Sequence, residues 1–235
     1  MDKSEVLNQI EHKLIVSCQA RKGWAMYGSD IMAAFAQAAT EGGASALRLN
    51  GAADIRKARE KTKLPMIGIN KVWTKESDIY ITPTFDSAKE ILDTGVEIIA
   101  LDARLLRRPG DETLDGIVNK IRAYRPEVLI MGEVSTCEEG VEAAKRDIDI
   151  VSTTMSGYTP ESRQQREPDF LLISELRERI GLPVIAEGRI TTPQDAAKAF
   201  AAGAHSVVVG TAITRPEVIT SRFVQGIEAF WNERQ

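Results

Sequence analysis

Cysteine and histidine are nearly absent from this chain. Its 235 residues hold two of each, Cys18 and Cys137, His12 and His205. Two cysteines with no CxxC pair exclude a disulfide framework and suit a reducing compartment. There is no HxH, no HExxH and no His/Asp cluster, so the pattern of a protein-built zinc site is missing. Carboxylates alone leave magnesium open. No apolar run approaches the roughly 18 residues that cross a bilayer. The polar residues 1–11 lack the apolar core of a secretory leader. A strong charge imbalance is missing too. The formal net charge of −4 gives no electrostatic case for nucleic acid. No Pro/Ser/Gly-rich linker divides the chain. The expectation is one domain over residues 1–235, cytoplasmic, with neither nucleic-acid nor membrane partners.

What is present is alternation. Eight β-rich runs, 14–18, 46–49, 66–69, 98–102, 128–132, 148–152, 184–187 and 206–210, alternate with amphipathic stretches at 31–41, 87–94, 114–124, 137–146, 170–180 and 194–202. Most runs are continuously apolar, as strands covered on both faces are. Gly42-Gly43, Gly95 and Gly203 stand where helices end before strands. Thr192-Pro193 resembles an N-cap followed by proline at N1. Eight such units predict an α/β fold, a single (β/α)8 TIM barrel. The run 79–81 falls inside a long third loop. The apolar stretch 223–231 is either a homodimer face or a helix that closes the barrel.

In such a barrel the chemistry lies at the C-terminal strand ends. Those ends carry Gln19, Arg48, Lys71, Asp102, Glu133, Thr153, Glu187 and Gly210. Val184–Glu187 and the run 206–210 each break into glycine, at Gly188 and Gly210. Glycine at a strand end frees backbone N–H groups to hold a phosphate. Gly188, Arg189, Gly210 and Thr211 are therefore candidate phosphate binders. Units one, three, five and seven supply Gln19, Lys71, Glu133 and Glu187, which are expected in one layer. Lys71 and Glu187 would face each other across the mouth, as a base and an acid on opposite sides of a carbon acid. Lysine serves as a base when burial or a nearby cation lowers its pKa, and Arg48 is a candidate for that cation. Asp102 either touches substrate or pairs with Arg104 or Arg107. The hydroxyl-rich run Ser152 to Thr159, with Thr153 and Tyr158, reads as a loop that covers substrate.

Taken together, Ser17-Cys18-Gln19-Ala20, Ile67-Gly68-Ile69-Asn70-Lys71, Ile81-Thr82-Pro83-Thr84, Ile99 to Ala103, Val151 to Thr159, Pro183 to Thr192 and Val207 to Pro216 resemble the NanE family of bacterial N-acetylmannosamine-6-phosphate 2-epimerases. The match runs almost the whole chain in order. It implies interconversion of N-acetyl-D-mannosamine 6-phosphate and N-acetyl-D-glucosamine 6-phosphate by removal and return of the C2 proton, with no cofactor and no required metal. It implies Lys71 and Glu187 as catalytic residues, and phosphate contacts around Gly188-Arg189 and Gly210-Thr211. Gln19, Arg48 and Arg215 match polar positions of the family pocket. The chain departs from the common pattern at Glu133, where the family usually has Asp. It also departs in the first loop, which contains Lys22, Trp24 and Met26, and at Val72-Trp73-Thr74. The rival expectations are another phosphate-binding barrel isomerase and a silent barrel that senses a sugar phosphate.

Overall fold

The computed structural model describes residues 1–234. Eight parallel strands, β1 (Leu14–Cys18), β2 (Ala46–Asn50), β3 (Met66–Ile69), β4 (Ile98–Asp102), β5 (Leu129–Glu133), β6 (Ile150–Ser152), β7 (Val184–Glu187) and β8 (Ser206–Val209), pair in chain order. β8 returns to β1 and closes the ring. This is the expected TIM barrel. The outer layer comprises α2 (Ser29–Glu41), α3 (Ala52–Arg59), α4 (Phe85–Leu92), α5 (Leu114–Tyr124), α6 (Cys137–Ala144), α7 (Phe170–Arg179) and α8 (Pro193–Ala201). Threonine caps start several of these helices. Thr84, Thr136 and Thr192 each accept from the N3 backbone of α4, α6 and α8, and the N3 side chain accepts from the cap backbone in return.

Side-chain alternation along the strands decides what reaches the site. Ile15, Ala46, Ile67, Ile98, Leu129, Ile150, Ile185 and Val208, one from each strand, pack inside the ring as an apolar layer. Leu47, Leu49, Ile99, Leu101, Ile130, Val151, Val184 and Val207 face the helices instead. A period of two then carries the inward face up to Gln19, Arg48, Lys71, Asp102, Glu133 and Glu187. The helix α1 (Lys3–Ile10) sends Val6 and Ile10 into the inner cluster and plugs the N-terminal end. Both histidines lie at that end: His12 N–H donates to the His205 carbonyl, and His205 Nε2 lies 3.1 Å from the Leu7 carbonyl.

Several boundaries differ from the sequence expectation. β5 and β6 begin one and two residues later, and β5 runs on to Glu133. α3 is strongly charged and buries only Ile55 and Ala58, too weak a stripe to stand out by periodicity. The 79–81 run lies in the third loop, as expected, but it is not idle. Ile81 forms an antiparallel bridge with Lys71. Val72 N–H donates to the Tyr80 carbonyl at 2.9 Å. After the short α9 (Thr211–Thr214), the last helix α10 (Pro216–Asn232) has no buried residue at all. It leaves Phe223, Ile227 and Trp231 60–70% exposed, so it does not close the barrel.

Candidate active site

One guanidinium organises the barrel mouth. Arg48 rises inward from β2 and is buried. It pairs with Glu133 of β5 and, at 3.2 Å, with Glu187 of β7. The sequence expectation of a layer built from units one, three, five and seven is thereby modified, because β2 supplies the residue at its centre. Glu133 is completely buried. Burial pushes its carboxyl up to about 6, and the neighbouring Glu187 charge adds to that, while Arg48 opposes both. The second oxygen of Glu133, Nε of Arg48 and Oε1 of Gln19 are buried without a partner among the described residues. Buried polar atoms are nearly always paired, so these three mark where a polar ligand would be read.

Lys71 stands just beyond β3. Its backbone N–H donates to the Asn50 side chain at 2.9 Å, and its bridge to Ile81 fixes the chain there. Burial, and next the positive charge of Arg48, lower its ammonium to about 8. The cation expected near Lys71 is therefore Arg48. Lys71 follows β3 and Glu187 ends β7, strands opposite each other in the ring order. Tyr80 stacks on Trp73, 5.5 Å between ring centroids, and reaches Met155 of the β6 loop.

Glu187 is held tightly. One oxygen meets Arg48 and the other accepts from the Thr154 hydroxyl at 3.1 Å. Its backbone is clamped by Thr153, whose hydroxyl donates to the Glu187 carbonyl at 2.9 Å and accepts from the Glu187 N–H. Thr153 thus acts on the β7 backbone, and Thr154 is the hydroxyl that reaches the carboxylate. The sequence expectation names Thr153 for the site, and the neighbouring Thr154 points the other way, since successive residues at a strand end face opposite sides. Asp102 is wholly buried and gripped through both oxygens by Arg104, so it is the structural pair rather than the substrate contact. Arg108 is buried behind it and donates to the Asp102 and Pro83 carbonyls.

At the β7 and β8 ends, Gly188 (φ 113°) and Arg189 (φ 57°) turn the chain through the left-handed region. The Arg189 side chain donates to the carbonyls of Ser156 and Glu167 and lies over Gly157, where a Cβ would fall 1.4 Å from its Nη1. It therefore ties down the β6 loop. Tyr158 on that loop is exposed, with Arg189 6.0 Å from its ring. Gly210 precedes α9, whose first N–H groups have no intrahelical acceptor. Thr211 opens that turn. Arg215 follows it, its Nε donating to Glu217 and its guanidinium 3.9 Å from the Trp24 centroid. Among the described residues no group of three or more His, Cys, Asp or Glu could hold a metal, and no helix is long and apolar enough to cross a membrane.

The family model described as "Putative N-acetylmannosamine-6-phosphate epimerase" (NanE) matches residues 32–229. A Clostridium perfringens (strain SM101) protein described as a 2-epimerase of the same compound is 49% identical over 218 residues, 93% of this chain and 98% of its own. One from Caldanaerobacter subterraneus subsp. tengcongensis is 43% identical over 224 residues, covering 95% and 94%. The solved structure of the N-acetylmannosamine-6-phosphate 2-epimerase from Clostridium perfringens superposes with a TM-score of 0.90 at 48% identity, covering 93% of this chain and 95% of that one. A Pyrococcus furiosus thiamine phosphate pyrophosphorylase, at 18% identity and a TM-score of 0.59, shares the fold alone.

Removing Arg48 strands Glu133 as a buried, unpaired charge. Arg48→Met should cost about 3–5 kcal/mol near neutral pH, measured by urea denaturation. A buried carboxyl with a folded pKa above its unfolded value destabilises only above that unfolded value. The deficit of the variant relative to the parent should therefore shrink as pH falls toward about 5. A deficit constant with pH would show that the ion pair is not its source.

Proposed function

The chain belongs to the NanE family of N-acetylmannosamine-6-phosphate epimerases, and from that premise we propose that it interconverts N-acetyl-D-mannosamine 6-phosphate and N-acetyl-D-glucosamine 6-phosphate. The observation that carries this is Lys71, lowered to about 8 beside a buried guanidinium and two carboxylates. The sugar enters the mouth and its ring opens, so that C2 lies next to the C1 aldehyde. Neutral Lys71 takes the C2 proton. The electron pair of that bond moves onto C1–O1 as an enolate. Arg48, buried and already fixed, stabilises the developing negative charge. A proton returned from the Glu187 side gives the other epimer, and the two groups exchange roles for the reverse direction. Gln19 and Glu133 hold the acetamido and hydroxyl groups. The phosphate rests on Gly188, Gly210, Thr211 and Arg215. Residues 1–235 act as one catalytic domain, in the cytoplasm, in the breakdown of sialic acids and amino sugars.

The pairing of Glu187 with both Arg48 and Thr154 favours a second version of the proton return. A carboxylate held as an acceptor by two donors gives up no proton, and Lys71 would then return the proton itself after the enolate turns its other face. Glu187→Gln separates the two. It should exchange the substrate C2 proton without epimerising under the two-group version, and still epimerise under the one-group version.

Conversion is tested with chelator-treated protein and N-acetylmannosamine 6-phosphate, followed by NMR. The expected result is N-acetylglucosamine 6-phosphate, with the rate in Lys71→Ala reduced by at least about 10³-fold, within the range of a lost general base. Binding without turnover would leave a sugar-phosphate sensor instead.

For assembly we propose a homodimer built on α10. Phe223, Ile227 and Trp231 recur at i, i+4 and i+8, which places them on one helical face. Such a contiguous exposed apolar face marks an interaction site. Sedimentation should show a dimer that Phe223→Asp combined with Ile227→Asp converts to monomer. A wild-type monomer at micromolar concentration would refute it.

A further inference from the structure

Five planar side chains stand in series along one side of the mouth. The Arg215 guanidinium lies 3.9 Å from the Trp24 centroid, and that of Arg21 lies 5.6 Å from the same ring. Arg21 is also 5.6 Å from the Trp73 ring, and Trp73 stacks nearly parallel on Tyr80. The series joins the loops after β8, β1 and β3. Trp24 lies in the loop after β1 and Trp73 in the loop after β3.

Two cations on one indole repel each other unless something compensates them. Glu217 accepts from Arg215 Nε, and no carboxylate pairs with Arg21 among the described residues. Lys71 is a third positive group close enough to feel Arg21. Stacking uses the face of a guanidinium and leaves its edge N–H groups free to donate in plane. The mouth of an otherwise acidic chain thus carries a local excess of positive charge with donors to spare. That pattern concentrates a small anion.

We propose that Arg21 and Arg215, both seated on Trp24, clamp the phosphate of the substrate, with Trp24 as the positioning residue that aims them. This rests on the sugar-phosphate reading above and extends it to two residues of the first loop. Trp24 touches neither the reacting carbon nor, in this account, the phosphate. It holds the guanidinium planes so that binding requires little further ordering.

The test uses the full chain and two probes, inorganic phosphate binding by calorimetry and turnover of N-acetylmannosamine 6-phosphate. Trp24→Leu should raise the phosphate Kd and the KM together by roughly tenfold, the scale of a cation–π contact. kcat should move far less. Trp24→Phe keeps an aromatic face and should recover most of the loss, and Arg21→Ala should weaken phosphate binding as well. An unchanged phosphate Kd in Trp24→Leu overturns the proposal, whatever happens to KM. So does a fall in kcat at constant KM, or a Trp24→Phe variant no better than Trp24→Leu. If the wild-type protein fails to turn over, the epimerase reading fails, and the calorimetric comparison still decides the clamp.

Discussion

A buried positive charge between one buried and one partly buried negative charge is the constraint on which this molecule's mouth depends. Arg48 on β2 can be taken out of water only because Glu133 and Glu187 meet it there, and the wholly buried Glu133 carboxylate would be left uncompensated without Arg48. The three come from β2, β5 and β7, so their pairing fixes strands on different sides of the ring relative to one another. Lys71 on the β3 loop inherits its chemistry from the cluster. Burial and then the Arg48 charge lower its pKa, and the two carboxylates limit how far it falls.

The rest of the mouth is built to keep that cluster still. Thr153 clamps the backbone of Glu187 and Thr154 its carboxylate. The β6 loop that carries them is anchored by Arg189 onto Ser156 and Glu167, and by Ser156 onto Asp169, the cap of α7. Below the cluster, one apolar side chain from each strand fills the ring and α1 seals it. A dry, packed floor keeps the local dielectric low, and this makes the charges above it strong.

Much of this was legible in the sequence, for identifiable reasons. Continuous apolar runs, glycine at helix ends and Thr192-Pro193 announced eight strand–helix units, and strand ends in a barrel are where polar residues collect. Arg48, Lys71, Glu133 and Glu187 were thus visible one by one. That Arg48 would bond two strands not adjacent to its own was not, because sequence order carries no information about side-chain reach across a closed ring. That Thr154 rather than Thr153 would bond the Glu187 carboxylate is not legible, because strand ends are uncertain by a residue and faces alternate by one. Asp102 was placed correctly at a strand end, yet Arg104 two residues on occupies it. α10 looked like a closing helix as much as an interface, since an apolar stripe does not say what covers it.

The most direct test of the central claim is the rate of deuterium incorporation at C2 of N-acetylmannosamine 6-phosphate in D₂O, followed across pH. If Lys71, lowered by burial and Arg48, is the base, exchange should accompany conversion. Its rate should rise with pH through about 8 and then level, as the amine loses its proton. A rate flat from about pH 6 to about pH 10 would contradict the account.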